Sequence, residues 1–135
     1  MTKTAPFIIE FPTHKGKGGL LSFGEYDEQI PFPIERIYWS YELENDTERG
    51  NHYHPNSERV IVSMKGSISV TLENTKGEII DFKLSKANQG LYIPSNHWIT
   101  MELKKDGIML AVASSKFKVG ESITDYARFE ALKNG

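Results

Sequence analysis

The chain has 135 residues, 39% of them apolar and 25% charged, with a formal net charge of −2 and no cysteine. That length suits one domain over residues 1–135, large enough to bury roughly two-thirds of its unfolded surface around one core. The charge balance offers no basic field for nucleic acid, and without cysteine there can be no disulfide, thiolate metal site or thiol nucleophile.

In chain order, residues 1–6 lack the apolar run of a signal peptide and are expected to fray or to pair with a partner subunit. Residues 7–11 (FIIEF) read as a short apolar strand. Residues 14–19 (HKGKGG) read as a turn, 20–26 as a second strand, and Pro31 and Pro33 bound a loop. The aromatic-rich segment 36–44 (RIYWSYELE) reads as a third strand, and 45–51 as a polar turn. Further strands are expected at 59–65, 67–73, 79–84, 90–93, 98–103 and 108–114. The segment 67–72 (SISVTL) alternates strictly, as a half-buried strand does. Asn74-Thr75-Lys76-Gly77 between two strands is a hairpin signal. Turns about every ten residues point to an antiparallel sandwich or barrel rather than βαβ units. Only 122–133 reads as helix, with Ile123, Tyr126, Phe129 and Leu132 three apart on one face. No stretch approaches the ~20 apolar residues of a membrane span, and the expected compartment is the cytoplasm.

The chemistry-bearing motif is Gly50-Asn51-His52-Tyr53-His54, followed by Glu58 and Gly66. Residues two apart in a strand share a face, so His52 and His54 are expected to converge inside one barrel. The plain alternative is a pair of hydrogen-bonded core histidines or two surface ones. Two imidazoles on one wall favour acid–base work near neutral pH. With Glu58 the pair could also form the 2-His-1-carboxylate set that binds non-heme iron.

Gly50, His52-x-His54, Glu58 and Gly66, with Gly90-Leu91-Tyr92-Ile93-Pro94, resemble the two signatures of the cupin superfamily. The resemblance implies an all-β cupin fold, a jelly-roll (double-stranded β-helix) barrel with a short C-terminal helix. Where metal-binding cupins carry a further histidine, this chain has Ile99, which cannot ligate. His97, next to it, belongs to the other face by alternation. Arg36-Ile37-Tyr38, Arg49-Gly50-Asn51-His52-Tyr53-His54, Gly66-Ser67 and Gly90-Leu91-Tyr92 together resemble the dTDP-4-oxo-6-deoxyglucose 3,4-ketoisomerases, WxcM-like cupins that work without metal or other cofactor. The similarity runs from about Lys17 to Phe129.

That resemblance implies a dTDP-linked 4-oxo-6-deoxyhexose as substrate, no nucleic-acid or membrane partner, and a role in making deoxyamino sugars for bacterial glycans. It implies His52 and His54 as the acid–base pair with Tyr38 beside them. A diphosphate calls for arginine or lysine: Arg49 first, then Arg59, Lys17 and Arg36. Tyr92 and Trp98 are candidates for stacking on thymine or sugar. The resemblance also implies a homodimer that exchanges N-terminal strands, which fits the apolar segment 7–11. This chain departs from many members at Lys17-Gly18, in place of Arg-Gly, at Ile99, in place of histidine or arginine, and at Thr124, in place of an arginine. These positions leave the C4 configuration of the product open. Three other readings stand beside it: a metal-dependent cupin isomerase or oxygenase, a non-catalytic sugar-binding cupin, and a related 3,5-epimerase. The last typically has a longer chain and a histidine–aspartate pair not seen here.

Overall fold

The computed structural model describes residues 4–134. Of segment 1–6, residues 1–3 lie outside the described residues. The strands are β1 (Phe7–Glu10), β2 (Thr13–Gly16), β3 (Gly19–Ser22), β4 (Arg36–Ser40), β5 (Thr47–His52), β6 (Arg59–Lys65), β7 (Ile68–Glu73), β8 (Ile79–Leu84), β9 (Gln89–Ile93), β10 (Trp98–Leu103) and β11 (Ile108–Ala113). One helix follows, α1 (Tyr126–Leu132).

Two antiparallel sheets form the barrel, in the orders β1-β9-β6-β11-β4 and β5-β10-β7-β8. This is the expected cupin jelly roll. Between the sheets lies a core of Ile61, Leu72, Leu84, Leu91, Ile93, Leu103 and Ala111, with Leu43 among it. The other face of the five-stranded sheet carries a second cluster, in which Val60, Val62, Tyr92 and Val112 pack on Ile9, Ile30 and Phe32. β6 and β9 are therefore covered on both faces, which is why they read as continuous apolar runs without alternation. Among the described residues no helix is long and apolar enough to cross a membrane.

Four expectations need correction. The polar segment 45–51 is not a turn: most of it is β5, paired with β10. Its polar side chains fit an edge strand with one face toward water. The aromatic segment 36–44 stops being strand at Ser40; Glu42 takes φ 55° and Leu43 turns into the core. Residues 13–22 form a hairpin, β2–β3, that pairs only with itself. The helix starts at 126, because Asp125 caps it by accepting a hydrogen bond from the Ala127 N–H at 3.0 Å. Ile123 instead pairs backbone to backbone with Tyr53. Segment 7–11 holds the expected short strand, β1, antiparallel to β9.

Candidate active site

The site is built at one end of the barrel, where β4, β6 and β11 present aligned residues. Arg36 on β4 is in register with Ala113 on β11, and Ala113 with Arg59 on β6. Tyr38, Ala111 and Ile61 form the next row inward. Ala111 and Ile61 belong to the inner core, so both arginines and Tyr38 face the barrel interior. The small Ala113 between them lets the two guanidiniums meet the same carboxylate.

Across the barrel, β5 delivers the histidines through a bulge. Thr47 is in register with Leu103 and Arg49 with Met101, and the register then shifts so that His52 opposes Ile99. Leu103, Met101 and Ile99 all face the core, so Arg49 and His52 share the inner face although they are three apart. Gly50 (φ 95°) and Asn51 (φ 59°) make the bulge. His54 lies beyond the end of β5, and its carbonyl accepts from the Asn96 N–H at 2.9 Å. Tyr53, between the histidines, points outward and packs on Phe129 and Trp98. Its backbone also exchanges two hydrogen bonds with Ile123, at 3.0 and 2.9 Å. That pairing returns the C-terminal segment to the site and brings Glu121 and Ser122 against it.

The two imidazoles meet at Nε2, 3.0 Å apart, with ring planes at 72°. Arg59 Nη2 lies 3.1 Å from His54 Nδ1. A guanidinium only donates, so that nitrogen carries a lone pair and the His54 proton sits on Nε2, aimed at His52. His52 must then accept at Nε2; its other nitrogen is left to donate to the Gly50 carbonyl. Burial, then Arg59, then His52 push the His54 pKa down to about 3. Burial also lowers His52. Both rings are therefore neutral at pH 7. Tyr38 lies between the guanidiniums, with Arg36 Cζ 5.3 Å and Arg59 Cζ 5.7 Å from its ring centre. Burial raises its pKa, although both arginines act against that.

A third histidine, His97, is also buried, donates Nδ1–H toward the Ser95 carbonyl at 3.0 Å, and has its pKa lowered by burial. All three titrate lower when folded, so the unfolded chain takes up protons first as pH falls. Their contribution to stability is complete above the unfolded value near 6.5 and is lost as pH drops toward the folded values. Between pH 7 and 5, His54 alone is expected to remove about 2 kcal/mol of stability. Thermal unfolding followed at half-unit pH steps checks this; a Tm that stays level from pH 7 to 5 contradicts it.

The structure thus gathers His52, His54, Tyr38, Arg36 and Arg59, with Arg49 on the same inner face at the exposed edge of β5. Other expected contacts fall elsewhere. Arg59 is 3% exposed, and its two terminal nitrogens are engaged by Ser57, His54 and Glu121. Tyr92 is fully buried on the opposite face of the sheet, its hydroxyl donating to Glu58 at 2.5 Å. Trp98 faces outward and holds α1 through Tyr126 and Phe129. Lys17 is exposed at the tip of the β2–β3 hairpin, in a sheet separate from the barrel. Glu58, which the iron reading required, points away from the histidines because its neighbour Arg59 takes the inner face. Among the described residues no three histidine, aspartate or glutamate side chains could hold a metal together. Glu121 and Ser122 were not singled out from sequence. They sit in an unremarkable loop, and only the pairing of Ile123 with Tyr53 carries them to the histidines.

The family model described as FdtA, WxcM-like, C-terminal matches residues 4–134. A TDP-4-oxo-6-deoxy-α-D-glucose 3,4-oxoisomerase from Aneurinibacillus thermoaerophilus is 31% identical over 125 residues, covering 91% of this chain and 88% of that protein. The TDP-fucose 3,4-ketoisomerase of Campylobacter jejuni superposes with TM-score 0.87 at 32% identity, covering 96% of both chains. A 3,4-ketoisomerase from Helicobacter canadensis gives TM-score 0.89 at 31% identity, covering 98% of this chain and all of that one. With its paired, neutral imidazoles inside a barrel of this shape, the chain belongs to the FdtA (WxcM-like, C-terminal) family and is an isomerase of the 3,4-ketoisomerase kind.

Proposed function

We propose that this chain is a single cupin domain that converts a dTDP-linked 4-oxo-6-deoxyglucose to the 3-oxo isomer, using His52 and His54 as its acid–base pair. The observation that carries this is the 3.0 Å Nε2–Nε2 contact between two neutral rings on the inner wall. Moving the carbonyl requires a proton off C3, an enediol, and a proton onto C4, while the two oxygens exchange a proton. His52 carries the Nε2 lone pair and is the more exposed ring, so it takes the C3 proton once the bound sugar displaces the His54 Nε2–H from that pair. The displaced His54 Nε2–H and the Tyr38 hydroxyl then turn to the developing enediolate oxygen and supply its proton. Arg49, at the exposed edge of the same wall, is placed to meet the diphosphate, whose paired oxygens suit a forked guanidinium. Arg36 is half-buried and turned to Glu121, which makes it part of the inner wall. The relative's printed substrate supports the choice of sugar. The product fits deoxysugar supply for glycans such as lipopolysaccharide, made in the cytoplasm. None of these steps calls for a metal.

Incubation with dTDP-4-oxo-6-deoxyglucose in deuterated water tests the reading. NMR is expected to show a 3-oxo product carrying deuterium at C4, undiminished by chelator. Recovery of unlabelled 4-oxo sugar alone would remove the assignment, and activity lost to chelator and restored by iron or zinc would transfer it to the metal-dependent reading.

A homodimer belongs to the same proposal. The outer face of the five-stranded sheet holds an apolar groove of about 720 Å³, lined by Leu20, Leu21, Ile34, Ile37, Met64 and Leu110. Leu20 and Leu21 are 73% and 60% exposed on a hairpin that pairs only with itself. An isolated two-stranded hairpin is marginal in water. A second copy would cover both groove and hairpin, with the hairpin as the exchanged N-terminal element. Sedimentation equilibrium is expected to give the dimer mass; a monomer at micromolar concentration would exclude it.

A further inference from the structure

The pocket holds more charge than two neutral imidazoles need. Arg36 Nη2 and Arg59 Nη2 both reach Glu121 Oε1, at 2.5 and 3.3 Å. The Ser115 hydroxyl donates to Glu121 Oε2 at 3.2 Å and accepts from the Ser57 hydroxyl at 2.8 Å, and Ser57 accepts from Arg59 Nη1 at 2.8 Å. Burying a guanidinium is costly without a counter-charge, and Glu121 is the carboxylate that meets both.

The same residue faces His54 in a second way. Arg59 Nη2, 3.1 Å from His54 Nδ1, can only donate and favours a lone pair on that nitrogen; the Ser122 hydroxyl, 3.3 Å from it, suits either arrangement. The backbone carbonyl of Glu121 also faces the ring and, being only an acceptor, favours a ring N–H, while the Ser122 hydroxyl at Nδ1 is able to accept a proton held there. The choice turns on whether Arg59 stays against the ring, and its anchor is the Glu121 carboxylate.

We propose that Glu121 is a positioning residue: by holding Arg59 against His54 Nδ1, its carboxylate fixes the tautomer that aims the His54 Nε2–H at His52. This rests on the acid–base reading of the pair. Without the anchor, Nδ1–H would donate to the Ser122 hydroxyl 3.3 Å away, and two Nε2 lone pairs would face each other across 3.0 Å. A wrong tautomer disables an acid–base histidine even when its position is kept.

The test is long-range proton–nitrogen NMR of free enzyme labelled with ¹⁵N-histidine, with the His54 signals assigned from a His54→Asn spectrum. Wild type is expected to show an unprotonated Nδ1 and a protonated Nε2. Glu121→Gln keeps shape and removes charge; it is expected to shift the proton to Nδ1 in a substantial fraction of molecules. It should also lower kcat by about tenfold or more, with KM within about twofold. Glu121→Ala should shift the tautomer further, and the glutamine variant carries the test if the alanine variant does not fold. An unchanged tautomer in a folded Glu121→Gln protein overturns the proposal even if kcat falls, as does a wild-type His54 protonated at Nδ1. Because the tautomer is read without substrate, wild-type inactivity on the nucleotide sugar would defeat the proposed function and leave this result standing.

Discussion

Replacing His52 with asparagine is expected to lower kcat by a factor of about 10²–10⁴, the usual range for a general base, with little change in KM. His52 is the ring with an unshared pair at Nε2, and asparagine puts an amide where that pair would be. The side chain is only half-buried and touches no buried ion pair, so the folded barrel should survive. His54→Asn should cost a similar factor in kcat, but it also strips Arg59 of a buried partner and should lower Tm. The two variants therefore separate base from donor: one loses rate alone, the other rate and stability. A His52→Asn enzyme turning over within about threefold of wild type would take His52 out of the proton path.

Gly50→Ala is expected to destabilise the fold by about 2–4 kcal/mol and to remove most activity. Gly50 sits at φ 95°, a conformation that L side chains rarely adopt, and an added Cβ would lie 2.6 Å from the Ile99 carbonyl oxygen. Ile99 is on the neighbouring strand, so the clash is backbone against side chain and cannot be relieved by a rotamer change. Relief would come from straightening the bulge. A straight β5 would turn either His52 or Arg49 to the outer face, because each one-residue change of register exchanges the two faces. Chemical denaturation and the isomerase assay together check this. A variant with the wild-type denaturation midpoint and rate would show that the bulge is not needed.

That bulge marks the boundary between what local pattern reveals and what it does not. Strand alternation led from His52-x-His54 to a shared inner wall, and the rings do meet. Yet β5 ends at His52, and His54 is held by Asn96 and Arg59 rather than by a continuing ladder. The same alternation would have set Arg49 on the opposite face; the extra residue at the bulge returns it. Tyr92 and Trp98 show the converse. A strand buried on both faces carries no polar residue to mark its inner side, so Tyr92 could not be sorted from Leu91. Trp98 alternates correctly with Ile99, but the outer face is itself a core once α1 lies on it.

From residue order alone came the turn rhythm of an all-β chain, most strand positions and the histidine pair, since each depends on periodicity or spacing within a few residues; Tyr38 came only with the family resemblance. Packing alone decided the rest. It buried Arg59 as the ring's partner, took Glu58 out of the pocket and brought Glu121 in. Those outcomes depend on the meeting of segments 62 to 70 residues apart, such as Arg59 with Glu121 and Tyr53 with Ile123, for which neither local pattern carries a sign.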